Sequence, residues 1–526
     1  MASETTGGDA KRRRVEKEGA AAGGAELLNL AWVGEDRSGL EALKTSFEDA
    51  LPFPHASLDN FVKDEAVLEK LQEEIMKDEL FFPKENDLFS FMQTKDLAEK
   101  RAERPGAIKD FVDALYSREM RDILTELTGV QGLTDHFDLT SSVYTETNNL
   151  LCHDDELSSR RIAYILYLVP EDWSEADGGT LDLFTVDANK QPNGIMKRIV
   201  PKRNSLVFFE VSDRSYHQVA EVLKDKPRHS IGGWFHGPPV TTPSDWKPCS
   251  PEFGAVDTSL KAPTPVAPLE SEGDAAMLAE WVAPIYLEKS TQKSVREQFE
   301  AESCIELHDF FVADKAKELR KALTESPASS WRSLGPYQKR HFDVLEAPES
   351  GALLAQWGSL LRSKAFASLI ADLTSLSVNT VVAQIRRFAC GNYSLVHDRT
   401  AADKAAIKEE LDVFWTMVDK DDAWESEDDP TGGQVVYAVE GEEEPLVTVI
   451  PRGNMLAMVY RSDADSQAFV KYVNKRAPSP RFDAWLTYQG EFADDEGDEE
   501  KEEVEAEAKA TESEVAKAAS DAETSA

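Results

Sequence analysis

Apolar residues recur at three- and four-residue spacing in two early stretches, "SLDNFVKDEAVLEKLQEEIMK" from Ser57 and "PGAIKDFVDALYSREMRDILTELTG" from Pro105. That spacing keeps them on one face of a helix, so both stretches predict amphipathic helices. After Gly132 the texture changes to short runs: "FDLTSSVYTET", "RRIAYILYLV", "GGTLDLFTV", "NSLVFFEV" and "RHSIGGWFHG". They are rich in β-branched and aromatic residues, separated by Gly, Pro, Asn and Asp, and they predict strands. Helices followed by many short strands predict an α+β domain built on a β-sandwich or barrel.

From Pro238 to Asp274 the periodicity fades in a stretch rich in proline, serine and threonine, which makes it the linker candidate. Beyond it the texture returns, helical from Leu278 to about Leu376 and then strand-like up to Phe492. The return is legible residue by residue. "PKRNSLVFFEVSD" (Pro201–Asp213) matches "PRGNMLAMVYRSD" (Pro451–Asp463), with Asn204 against Asn454. In the same order, "LVPEDWSEADGGTLDLF" matches "MVDKDDAWESEDDPTGGQVVYAV" and "NLLCHDD" matches "YSLVHDR". Two copies of one strand-rich fold account for all three matches.

A chain of 526 residues divides into several cores, and no run approaches the length of a membrane span. No apolar leader stands at the N-terminus, and Cys152, Cys249, Cys304 and Cys390 form no Cys-x-x-Cys pair, which fits a reducing compartment. Residues 1–26 lack apolar periodicity and are expected to be disordered. Within them "KRRRVEKE" from Lys11 is a candidate nuclear import signal, so the expected location is nucleus and cytoplasm. The tail, residues 493–526, holds 14 acidic and 3 basic residues and so contributes −11 of the formal −40, leaving the rest strongly acidic as well. That charge disfavours direct nucleic-acid binding and favours a basic partner.

His-x-Asp occurs three times, as His136/Asp138, His153/Asp155 and His341/Asp343. On an extended strand, residues two apart share a face, so each pair could offer an imidazole nitrogen and a carboxylate oxygen to one ion. A third ligand decides among them. His217, just after "SLVFFEV", would complete a two-histidine, one-carboxylate set with His153 and Asp155, the arrangement that leaves open positions on iron(II). Asp154 would then point to the opposite, solvent side. Eleven residues beyond His217, Arg228 heads another strand and would project into the same cavity, where a guanidinium suits a carboxylate. Tyr144 and Tyr167 could add hydroxyl donors. His136/Asp138 reads better as a strand-entry turn, and no barrel strand is expected around His341/Asp343.

The stretches "LLCHDDELSSRRIAYILYLVPEDW…GGTLDLF", "NSLVFFEVSDRSYHQVAEV" and "PRHSIGGWFHGP" resemble the prolyl hydroxylases of the iron(II)/2-oxoglutarate dioxygenase superfamily. Within it they are most similar to the eukaryotic branch that hydroxylates a proline of a small-subunit ribosomal protein near the decoding centre. The resemblance runs from about residue 27 to 492. It implies two double-stranded β-helix (jelly-roll) domains with supporting helices: a catalytic one at 27–240, a linker at 241–274 and a degenerate, non-catalytic one at 275–492. It implies His153, Asp155 and His217 as iron ligands, and Arg228 with Tyr144 and Tyr167 on the distal carboxylate of 2-oxoglutarate. Dioxygen is the second co-substrate and ascorbate an expected reductant. The substrate implied is a basic ribosomal protein, and the second domain is a possible dock for a regulatory protein. His229 should point out of the cavity, and His236 reads as structural.

The second copy departs from the pattern. Arg399 stands where Asp155 would be, no histidine occurs between Arg452 and Phe492, and Thr416 falls at the place of Tyr167. Arg481 alone matches its counterpart, Arg228.

Overall fold

The computed structural model describes residues 27–238 (without 35, 78–80, 102–105 and 158), 246–258, 267–268, 275–346, 352–396 (without 379), 409–419, 424, and 431–489 (without 440, 443, 463 and 464). The expected disordered N-terminus with its basic cluster and the acidic tail lie outside the described residues. Among the described residues no helix is long and apolar enough to cross a membrane.

Eleven strands form the first sheet: β1 (His55–Asp59), β2 (Phe82–Glu85), β3 (Phe89–Gln93), β4 (Leu139–Tyr144), β5 (Asn149–His153), β6 (Arg160–Tyr167), β7 (Leu181–Val186), β8 (Pro192–Ile199), β9 (Ser205–Glu210), β10 (His217–Val219) and β11 (Arg228–His236). Their order is β1-β9-β6-β11-β4-β3-β5-β10-β7-β8, with β2 on β3. Strand β3 pairs with β4 through Met92 and Gln93 and with β5 through Phe89 and Ser90, which lets one antiparallel sheet curl over on itself.

The curl explains why β6 is apolar at nearly every position. Ile162, Tyr164 and Leu166 pack outward under the helices, while Ala163, Ile165 and Tyr167 face the barrel interior. The two helical patterns predicted from spacing start and break elsewhere than spacing alone suggests. Ser57–Asp59 belong to β1, and the helix begins at Glu65. The second pattern is two helices, Ala107–Leu115 and Arg118–Thr128, because the Ser117 hydroxyl caps the latter by accepting from Met120 N–H at 3.1 Å.

The second half repeats the plan. After β12 (Ala267–Pro268), strands β13 (Cys304–Leu307), β14 (Trp331–Leu334), β15 (Arg340–Leu345), β16 (Thr380–Phe388), β17 (Tyr393–Ser394), β18 (Glu410–Met417), β21 (Met455–Arg461) and β23 (Arg481–Gln489) share a sheet. A smaller sheet holds β19 (Val435–Val439), β20 (Val447–Val449) and β22 (Ser466–Val470). Three strands, β13 to β15, therefore interrupt the stretch that spacing read as helical up to Leu376.

The matched asparagines make the same pair of backbone bonds. Asn204 (φ 57°) accepts Val62 N–H and donates to Val62 O, both at 2.9 Å. Asn454 (φ 55°) does the same to Phe311, at 3.1 and 2.8 Å. Each ties the turn before one strand to a neighbouring segment, in a left-handed conformation that asparagine tolerates.

The proline-rich stretch is partly held against both sheets. Phe253 bridges Ile195 of β8, Asp257 bridges Leu334 of β14, and Tyr337 Oη donates to Gly254 O at 2.6 Å.

Candidate metal centre

His153 owes its direction to a β-bulge. Between β5 and β10, His153 pairs with His217 but Leu150 pairs with Val219, so β5 spends three residues where β10 spends two. Leu150 and His153 can then both face the interior, while Leu151 and Cys152 both face outward, toward Tyr393 and Tyr337 of the second domain. Strict alternation would have sent the imidazole the other way.

Asp155 does not reach the site by strand alternation, contrary to expectation. The strand ends at His153, and Asp155 adopts a left-handed backbone, φ 63°. That turn brings its Oδ1 to 3.6 Å from His153 Nε2 and its Oδ2 to 3.4 Å from His217 Nε2. The three residues are the one such cluster of candidate metal ligands among the described residues, with ligand atoms all within 4.8 Å of one another. Nor does Asp154 face open solvent: it is half-buried, and its carboxylate accepts Glu156 N–H at 3.0 Å.

The tautomers follow from the backbone. His153 Nδ1 lies 2.8 Å from Leu151 O, and His217 Nδ1 2.8 Å from Ser215 O. A carbonyl only accepts, so each Nδ1 carries the proton and each Nε2 presents a lone pair to the centre. Burial, with the neighbouring His217, lowers the proton affinity of His153. Burial alone would raise the Asp155 pKa; the hydrogen bond and charge of His217, with His153 and Arg160, hold it below the usual carboxylate range. Deprotonated nitrogens and an ionised carboxylate are what a divalent cation requires.

Two residues that sequence reasoning passed over support Asp155. Trp234 Nε1 donates to Asp155 Oδ2 at 3.1 Å, and the Arg160 guanidinium lies 3.4 Å from the centre of the Trp234 ring and 3.8 Å from Asp155 Oδ1. Trp234 is six residues beyond Arg228 on one strand, so parity puts both on the same face; that signal was available.

Arg228 sits opposite Tyr144 of β4, and two residues on, Ser230 sits opposite Tyr167 of β6. All three side chains are buried: Arg228 is 1% exposed, Tyr144 4% and Tyr167 0%. Arg228 Nε donates to Gly179 O at 2.7 Å and Nη1 reaches Ser230 Oγ at 3.5 Å. Gly179 (φ 63°) permits that approach, since a Cβ there would come within 2.7 Å of Arg228 Cδ. Arg228 Nη2 and the Tyr167 hydroxyl are both buried without a well-formed hydrogen bond to the rest of the protein; burial raises the Tyr167 pKa, and the adjoining Arg228 side chain partly offsets it through its charge and a hydrogen-bonding contact. Two such donors around a buried cation fit an incoming carboxylate. The pocket shares its interior with the histidines: Phe209 packs in the cluster of Tyr144 and Tyr167, and its ring meets that of His217 edge-on at 4.6 Å.

The family model described as "2OG-Fe(II) oxygenase superfamily" matches residues 139–236, and one described as "Oxoglutarate and iron-dependent oxygenase degradation C-term" matches residues 273–496. The chain is 36% identical to a prolyl 3-hydroxylase OGFOD1 of Xenopus laevis, over 82% of this chain and 84% of that one. It belongs to the prolyl hydroxylase family of 2OG-Fe(II) oxygenases. The mouse prolyl 3-hydroxylase OGFOD1 is 33% identical over 82% of this chain and 86% of its own. A prolyl 3,4-dihydroxylase OGFOD1 of Ostreococcus tauri is 29% identical over 83% and 95%. This family uses iron(II) and 2-oxoglutarate, and the two buried donors and the ligand cluster fit both.

The second domain of this prolyl hydroxylase closes its own version of the arginine pocket. Thr416 pairs with Asp483 as Tyr167 pairs with Ser230, which places Thr416 at the tyrosine's position and Arg481 at that of Arg228. Arg481 donates to Gly433 O, as Arg228 does to Gly179 O, but its Nη2 also meets Asp483 Oδ2 at 2.5 Å. Arg386 holds the same carboxylate at 2.7 and 2.8 Å. A fixed internal carboxylate thus stands beside the arginine where the first domain has only Ser230. His397, Asp398 and Arg399 lie outside the described residues.

The other described histidines that the sequence singled out, His136, His229, His236 and His341, lie outside this cluster. His229 faces away from the cavity, with Nε2 2.7 Å from Ser141 Oγ and Nδ1 3.1 Å from Gln72 Nε2. His236 Nε2 lies 3.0 Å from Asp138 Oδ2, under the ring of His136. His341 and Asp343 do lie on a strand, β15, which the sequence reading had not expected; Asp343 is paired with Arg387 at 2.8 Å.

Proposed function

We propose that this enzyme hydroxylates a prolyl residue, at its C3 position, in a basic small-subunit ribosomal protein. His153, Asp155 and His217 hold the iron, and Arg228 with Tyr167 and Tyr144 grips the distal carboxylate of 2-oxoglutarate. The observation that carries the reading is the pair of buried donors, Arg228 Nη2 and Tyr167 Oη, neither well bonded to any other part of the protein, sharing one barrel interior with the three-ligand cluster. When bound, iron(II) and 2-oxoglutarate supply the oxidative chemistry, with succinate and carbon dioxide as products. The protein's own part is orientation and exclusion of water. Trp234 and Arg160 fix the Asp155 carboxylate, and the bulge in β5 fixes His153.

A formal charge of −40 supports a basic substrate. Ascorbate keeps the metal ferrous in this reading, and the enzyme works in nucleus and cytoplasm, served by the basic cluster at Lys11. In the same reading the second domain, the region matched by the C-terminal family model, has an added role as a dock for a regulatory protein.

The test is intact-mass analysis of a peptide from the ribosomal protein after incubation with enzyme, iron(II), 2-oxoglutarate and ascorbate, with fragmentation to locate the oxygen. A gain of one oxygen on a proline, lost in His153→Ala and Asp155→Ala, is the expected result. No gain with wild type overturns the substrate assignment. A gain that persists in both variants overturns the metal site.

A further inference from the structure

The two loops behind Arg228 are held from the other domain. Gly179, whose carbonyl takes the Arg228 Nε, donates its own N–H to Glu221 O at 3.0 Å. Next along, Val222 N–H donates to Asn148 O at 3.0 Å and Val222 O accepts Thr147 N–H at 2.8 Å. The loop at 221–223 and the turn that follows Tyr144 therefore form one backbone unit beneath the guanidinium.

The side chains of that unit reach across the interface. Glu221 is 5% exposed; its Oε1 accepts the backbone N–H of Lys475 at 3.0 Å and its Oε2 accepts the Tyr472 hydroxyl at 3.3 Å. Lys475 Nζ donates to Leu223 O at 2.7 Å and pairs with Glu146, which Arg476 also holds at 2.8 Å. On its own side the segment is anchored to the closed arginine site: Asn474 N–H donates to Thr431 O at 2.9 Å and Gly433 N–H to Lys471 O at 3.0 Å. A Cβ on Gly432 would come within 1.7 Å of Tyr472 O, so this seat is tight.

The contact joins equivalent parts of the repeat. Gly391 and Asn392 bond Val473 as Thr147 and Asn148 bond Val222, which makes Tyr472 the counterpart of Glu221. The closed pocket of one domain thus leans on the open pocket of the other.

We propose that the second domain positions the 2-oxoglutarate pocket of the first: its Tyr472–Arg476 segment, through Glu221 and Glu146, holds the loop at 221–223 and the turn after Tyr144, and these set Gly179 and Tyr144 against Arg228. Glu221 is a positioning residue, acting through the Gly179 carbonyl on the arginine. This rests on the assignment of Arg228 to the distal carboxylate.

The test uses the full chain loaded with manganese(II), with 2-oxoglutarate binding followed by calorimetry and, separately, steady-state kinetics with iron(II). Glu221→Ala, and the double variant Lys475→Ala/Arg476→Ala from the other side of the interface, should each raise the Kd and KM for 2-oxoglutarate by about fivefold or more, with kcat and metal affinity within about twofold of wild type. Glu221→Gln keeps an acceptor for the Lys475 N–H and should restore most of the affinity. The proposal is overturned if the double variant leaves the Kd unchanged, or if metal affinity, kcat and thermal midpoint fall together with 2-oxoglutarate affinity. Failure of wild type itself to bind 2-oxoglutarate overturns the pocket assignment and, with it, this proposal.

Discussion

Tyr167→Phe removes one oxygen from the barrel interior and leaves the ring. In the protein alone that hydroxyl is fully buried and has no well-formed hydrogen bond; the Arg228 side chain beside it makes at most a poorly aligned one. A buried hydroxyl without a partner costs the folded state about 1–3 kcal/mol, which is the upper limit for one that has only this contact with Arg228. Its removal should leave thermal stability unchanged or raise it, since the ring still packs with Tyr144 and Phe209. With 2-oxoglutarate present the sign reverses. A hydrogen bond to a carboxylate contributes about 1.5–3 kcal/mol, so the variant should bind 2-oxoglutarate roughly tenfold to 150-fold more weakly. Calorimetry on the manganese(II)-loaded protein gives the Kd, and a thermal melt of the ligand-free protein gives the stability. A variant that melts several degrees lower and binds 2-oxoglutarate as well as wild type would refute the reasoning, because the hydroxyl would then be serving the fold.

Trp234→Phe removes the indole donor to Asp155 and should weaken iron(II) binding by about tenfold, read by competition with a chelator; unchanged affinity would show the bond to be incidental. Asn454→Ala strips Phe311 and the Trp415 indole of their partner and forces alanine into a left-handed conformation, at a cost of about 2–4 kcal/mol in urea unfolding. A loss below about 0.5 kcal/mol would mean that the turn does not depend on the side chain. Burial depresses the His229 pKa to about 4, so between that value and about 6.5 the unfolded chain binds the extra proton and stability falls as the pH drops. His229→Gln should therefore lose about 2–3 kcal/mol less than wild type between pH 7 and 4.5, and equal losses would exclude His229 as a source of the slope.

How much was legible depended on whether neighbours in the chain or neighbours in space decide the outcome. The five strand-like runs became β4, β6, β7, β9 and β11 because their texture is a local property. The repeat was legible for a similar reason: Asn204 and Asn454 recur because each turn needs the same left-handed residue bonded to the same kind of backbone. Strands β13 to β15 were hidden, since short runs among helical patterns carry no signal stronger than their surroundings. The capped break at Ser117 lay within a spacing that fits a single helix equally well.

By itself the sequence determined which residue types were on offer and in what order: His153, Asp155, His217 and Arg228, in one strand-rich unit, with a copy lacking the second carboxylate. Only the tertiary structure decided how they meet. Strand alternation would carry Asp155 to the face of His153, yet the structure does it with a bulge and a left-handed turn, because register depends on the partner strand as well as on the chain's own pattern. Likewise Asp483 is an unremarkable acid in the sequence. It becomes the group beside Arg481 only when strand parity puts residues two apart on one buried face, where an unpaired guanidinium is too costly to leave alone.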